Sequence, residues 1–148
     1  MSSLEKFIDL LTGFFNKCPS GLTYGIEIRN PNYLKNAYFE FLNRLKISHI
    51  FLQGYYMPSV IDIYHSFSGY IKDTTVIRLH GSDRKGIEEI AGGNWGKVVD
   101  PRDEEISKIT EIIKDLDQRK LEVYVYTNNH YEGSAPLTIA KIQKELKL

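Results

Sequence analysis

A single cysteine, Cys18, stands in 148 residues. That excludes an internal disulfide and a cysteine-built zinc site. No H-E-x-x-H or comparable spacing links the four histidines, His49, His65, His80 and His130, which lie in separate segments. No metal and no cofactor is expected. Neither charge is in excess: 19 basic residues face 19 acidic ones, so any attraction for phosphate has to be a local patch. Long apolar runs are missing too. Leu4–Phe15 is interrupted by Glu5, Lys6 and Asp9 and reads as neither a signal peptide nor a membrane span, so a cytoplasmic location is the expectation. With no repeat, low-complexity tract or linker, residues 1–148 read as a single domain.

What the chain does carry is an alternation of two periodicities. Leu4, Phe7, Ile8, Leu11, Phe14 and Phe15 form a helical stripe, with Ser2 and Glu5 at capping-box spacing. A strand follows over Tyr24–Arg29, broken by Asn30-Pro31-Asn32. Next is a helix with Asn32 as N-cap and Leu34, Ala37, Tyr38, Phe41, Leu42 and Leu45 on one face. Strands over Ser48–Gln53 and Thr75–His80 end at Gly54 and Gly81, with a helix opened by Pro58 between them. Residues 82–99 read as a long glycine-bearing loop. Asp100-Pro101 reads as the start of a helix running to Arg119. A strand over Leu121–Thr127 and a helix capped by Ser134 complete the chain. One helix followed by about four strand–helix units predicts an α/β fold with a parallel sheet.

Residue alternation along the strands predicts two unlike faces. Ile26, Ile28, Ile50, Leu52, Ile77, Leu79, Val123 and Val125 are expected toward the helices. Glu27, Arg29, His49, Phe51, Gln53, Arg78, His80, Tyr124, Tyr126 and Asn128 are expected on the other side. The polar members gather at the C-terminal ends of strands, the edge where α/β folds place their sites. The candidate set is Glu27, Arg29, Gln53, Arg78, His80, Asn128 and Asn129.

Each candidate has a second reading. Glu27 with Arg78 is a substrate-orienting charged pair or an interior ion pair. Arg29, Arg78 and His80 together suit an anion, with Glu27 and His80 the candidate catalytic residues; alternatively His80 caps a loop and Arg29 is a solvated rim residue. Asn128 and Asn129, beside the helix start at Ser134, suit an anion or simply make the turn. Gly81–Gly86 closes over a ligand or is an ordinary mobile loop, and Trp95 either anchors the long loop or stacks on a ligand.

Three ordered segments carry a family resemblance. Tyr24-Gly25-Ile26-Glu27-Ile28-Arg29-Asn30-Pro31 resembles the E-x-R-N-P segment of the YecE-like family (domain of unknown function seventy-two). Ile77-Arg78-Leu79-His80-Gly81 resembles its R-L-H-G strand. Val123 to Pro136, containing Asn128-Asn129 and Glu132-Gly133-Ser134-Ala135-Pro136, resembles its V-Y-V-x-x-N-N…E-G-x-A-P segment. The resemblance implies a TIM-like barrel, of which this chain matches the C-terminal half. It implies no settled activity. A half-barrel leaves strand edges open, so a homodimer, or a separately encoded N-terminal half-barrel, is expected. The residues themselves point to binding or processing of a phosphate-bearing ligand, small molecule or nucleic acid, at the C-terminal strand ends. The alternative is a non-catalytic subunit that completes a barrel by oligomerisation.

Overall fold

The computed structural model describes residues 3–148; Ser2, half of the expected capping box, lies outside them. Helix α1 (Ser3–Phe15) lays Leu4, Phe7, Ile8, Leu11 and Phe15 against the core, and Phe7 stacks on Tyr33 at 4.7 Å. Strand β1 is Tyr24–Ile26, shorter than the expected run to Arg29. The chain leaves the sheet because Asn30 accepts a hydrogen bond from the Asn32 amide and Pro31 starts a 3-10 turn. Asn30 therefore caps this turn, and helix α2 begins later, at Asn36–Leu45, with Lys35 rather than Asn32 at its cap position. Strand β2 (Ile47–Gly54), helix α3 (Val60–Phe67) and strand β3 (Thr74–Gly81) follow as the sequence predicts.

The stretch 82–99 is not all loop. Asp83 accepts a hydrogen bond from the Gly86 amide and opens a helix, α4 (Arg84–Ala91), which buries Ile87 and Ala91 one turn apart and ends at a left-handed Gly92. Helix α5 (Asp103–Gln118) also starts later than Asp100. Asp100 pairs with the Arg102 guanidinium, and the Arg102 amide is taken by Glu132 from across the fold. Strand β4 (Glu122–Thr127) and helix α6 (Ala135–Leu146) complete the chain. Ser134 occupies the cap position of α6, but Asn129 accepts the Ala135 amide instead.

The four strands are all parallel and run in the order β1-β2-β3-β4. Sequential parallel strands joined by helices make an open half of a TIM-type barrel. The main core lies between the sheet and the helices, with Phe51, Ile77 and Leu79 meeting Phe41, Val60, Ile106, Ile109 and Leu116.

Register assigns the faces. Phe51 pairs with Ile77 and Ile77 with Val125, so these share the helix side. Leu52 pairs with Arg78 and Arg78 with Tyr126, so these share the open side. The expectation for β2 is thus inverted: His49, Phe51 and Gln53 face the helices, while Ile50 and Leu52 lie on the open face. Both alternating sets of β2 contain large apolar residues, so alternation alone does not fix which set the core takes. The faces expected for β3 and β4 agree with the register.

Two glycines bring the strand ends together. At Gly54 (φ +130°) a Cβ would stand 2.2 Å from the Gly81 carbonyl oxygen, and at Gly81 (φ +76°) one would stand 2.3 Å from that of His130. The backbones after β2, β3 and β4 therefore touch directly, which only glycine permits.

Candidate functional site

Glu27 follows β1, and its carboxylate is largely buried, with a side-chain exposure of 12%. It accepts from Arg29 Nε at 2.8 Å and from Arg78 Nη1. Arg78 lies on β3, two strands away, so this bridge passes over β2. Leu52, the β2 residue paired with Arg78, is buried on this otherwise open face. Two guanidinium groups on one carboxylate leave the cluster with one net positive charge. The rest of the Arg78 fork and the terminal nitrogens of Arg29 have no protein hydrogen bond among the described residues.

Tyr55, from the turn after β2, completes the arrangement. Its ring lies beneath the Arg29 guanidinium at 4.4 Å, and its hydroxyl meets His80 Nδ1 at 3.2 Å. Tyr55 and its neighbour Tyr56 both hold left-handed backbone angles, φ +53° and +63°. Such angles are uncommon for bulky residues. His80 shares the open side of β3 with Arg78. Partial burial first, and the Arg78 charge second, pull its pKa below the ordinary imidazole range, against the opposing effect of Glu27. The ring is therefore neutral near pH 7 and able to take a proton.

The expected residues thus separate. Glu27, Arg29, Arg78 and His80 come together. Gln53 does not: it points among the helices, accepting the Val60 amide and donating to Glu105, both at 2.8 Å. Asn129 caps α6. Asn128 holds the β4–α6 turn, its side-chain oxygen accepting the His130 amide at 2.9 Å and meeting the His130 ring. His130 also meets Glu88 of α4 at 2.9 Å and packs edge-on to Trp95, so Trp95 anchors its loop to this turn. Among the described residues no three His, Cys, Asp or Glu side chains are grouped to hold a metal ion.

Two contributors escaped the sequence reading. Tyr55 had a signal, an aromatic pair directly after the strand-ending Gly54. Glu88 had none without α4.

The Glu132 of the third motif is structural. Wholly buried, it accepts the Arg102 amide at 2.7 Å and the Thr138 hydroxyl at 2.7 Å, and it pairs with Lys141 at 2.8 Å. Its carbonyl oxygen receives the Val99 and Asp100 amides. It ties the loop before α5 to the start of α6, behind the strand ends. Tyr131 beside it donates to Glu105 at 2.6 Å, and burial followed by that carboxylate pushes its phenol pKa up.

A family model described as protein of unknown function DUF72 matches residues 2–148. No curated protein matches the chain. Among solved structures, a DUF72 family protein from Enterococcus faecalis superposes with a TM-score of 0.70 at 19% identity, covering 100% of this chain and 55% of that one. A DUF72 family protein from Thermotoga maritima gives 0.69 at 20% identity, covering 100% and 54%. At such identities the likeness is one of fold. The chain spans little more than half the length of these structures.

Proposed function

The chain belongs to the DUF72 family, and we propose that its C-terminal strand ends bind a phosphate-bearing ligand, small molecule or nucleic acid. Arg29 and Arg78 supply the charge. The observation that carries this reading is the 2:1 arrangement on Glu27: one largely buried carboxylate orients two arginines without neutralising both. Planar guanidinium groups fixed in this way suit the oxygens of a phosphate. His80, neutral and adjacent, is positioned to exchange a proton with the ligand, and Glu27 and His80 are the candidate catalytic residues. The test is calorimetric titration with inorganic phosphate, ribose 5-phosphate and a short single-stranded DNA. Arg78→Ala is expected to weaken binding at least about tenfold, the loss of one charge-assisted hydrogen-bonded contact. Unchanged affinity in that variant refutes the reading.

A second reading rests on the uncovered side of the sheet. Ile50 and Val76 are only partly buried there, Tyr124 and Tyr126 are exposed, and β1 and β4 each pair on one side only. In this reading a second copy of the chain, or a separate N-terminal half-barrel, covers the face and pairs the edges. Light scattering at micromolar concentration tests the homodimer, and a strictly monomeric mass removes it. Co-purification tests the separate half.

A further inference from the structure

The open side of β4 carries two tyrosines at the anion cluster's flank. Tyr126 is the register partner of Arg78, so the two side chains stand side by side on one face. Tyr124 lies two residues earlier on the same face, beside Val76. Tyr126 is 58% exposed and Tyr124 45%. The neighbouring Glu122 carboxylate pushes the Tyr124 phenol pKa up. Tyr126 differs: among the described residues no hydrogen bond and no ring contact occupies its side chain, and it is not part of the apolar core. An exposed aromatic ring beside a guanidinium held by a carboxylate offers a surface for a planar group whose attached phosphate reaches the arginines.

We infer that Tyr126 is a stacking platform, and that the ligand of the Arg29–Arg78 site is a nucleotide, a phosphate carried with a planar base. This rests on the anion-binding reading above and specifies its ligand. Charge and apolarity divide the work. Glu27, Arg29 and Arg78 carry one net positive charge for the phosphate, and Tyr126 takes the base. The stacking is indifferent to base identity, because every base has a π-face. The same chemistry is offered by a free nucleotide and by an unpaired nucleotide in a single strand.

The experiment measures binding of inorganic phosphate, ribose 5-phosphate, adenosine 5′-monophosphate, and a 5′-phosphorylated tetranucleotide with its abasic counterpart. The proteins are the full chain and its Tyr126→Leu and Tyr126→Phe variants, checked for folding by circular dichroism. A base is expected to improve affinity on the order of tenfold over its base-free counterpart, the range of one base on one aromatic ring. Tyr126→Leu should abolish that ratio and leave ribose 5-phosphate binding unchanged, while Tyr126→Phe keeps it. A gain seen with adenosine 5′-monophosphate assigns a free nucleotide; a gain confined to the tetranucleotide assigns a strand. The inference is overturned if neither base-bearing ligand gains over its counterpart, or if the gain survives Tyr126→Leu, as it would were this face reserved for another polypeptide. If neither inorganic phosphate nor ribose 5-phosphate binds, the anion site itself fails and the platform with it.

Discussion

Acidification should destabilise this protein through His49, by about 2 kcal/mol at pH 5, before its carboxylates protonate. His49 is 4% exposed, enclosed edge-on by Phe51 at 4.7 Å, Phe39 at 5.1 Å and Tyr38 at 5.8 Å. Its Nδ1 meets the Tyr38 hydroxyl at 3.2 Å, and its Nε2 is buried with no partner among the described residues. Nothing there supports an imidazolium, and burial pushes the pKa from 6.5 down to about 3. In the unfolded chain the ring titrates near its ordinary value, about 6.5. Between these values the unfolded state binds the extra proton, so stability rises with pH. The contribution is fully present above about pH 6.5 and falls by roughly 1.4 kcal/mol per pH unit below it. The full window is worth about 5 kcal/mol, comparable to the whole stability of many domains. His80, whose pKa is also lowered, adds in the same direction but is more exposed. The assay is urea unfolding followed by far-ultraviolet circular dichroism from pH 7.5 to about pH 5, above the range where ordinary carboxylates titrate. His49→Gln keeps polar atoms near Tyr38 and removes the titration. It should flatten the slope across this window. Parallel wild-type and His49→Gln profiles, or a His49 resonance that titrates near pH 6.5 in the folded protein, would refute the reasoning.

Glu132→Ala should cost about 1–3 kcal/mol, because it leaves the Arg102 amide without its acceptor at a wholly buried position, while Lys141 keeps Asp103 at 2.7 Å; the urea midpoint reads this, and Glu132→Gln should cost less. Gly81→Ala meets both a left-handed backbone and the His130 carbonyl oxygen at 2.3 Å, so a loss of at least about 1–3 kcal/mol is expected in thermal melts. Gly13→Ala, in α1 where an added Cβ meets nothing within 4 Å, should instead stabilise by roughly 0.5–1 kcal/mol. Reversal of the order of these two glycine variants would contradict the backbone contacts described for the strand ends.

The legible part of this fold was its periodic part. Helical stripes such as Ile106, Ile109, Ile113 and Leu116, and the breaks at Gly54 and Gly81, depend on local spacing and local backbone freedom. The Glu27–Arg29–Arg78–His80 grouping was legible for a related reason: parallel strands deliver their C-terminal ends to one edge, so polar residues at those ends that share a face are brought near one another. Helix α4 was harder to read, since only Ile87 and Ala91 mark its buried side and Gly86 stands within it.

Other features have no local cause at all. Whether Gln53 faces the site or the helices turns on which alternating set of β2 the core selects, and Phe51 with Ile47 outweighs Ile50 with Leu52 only once α2 and α3 are packed there. The cap of α5 comes from Glu132, 30 residues away, while the local Asp100 pairs with Arg102 instead. Tyr55 joins the cluster because the chain turns left-handed after β2, bringing its ring under Arg29. The sequence by itself determined the strand–helix alternation and the edge at which the charged residues collect, since both follow from neighbours along the chain. The tertiary structure decided the face of β2, the partner of each buried charge and the tyrosine beneath Arg29, since these depend on which distant groups compete for the same space.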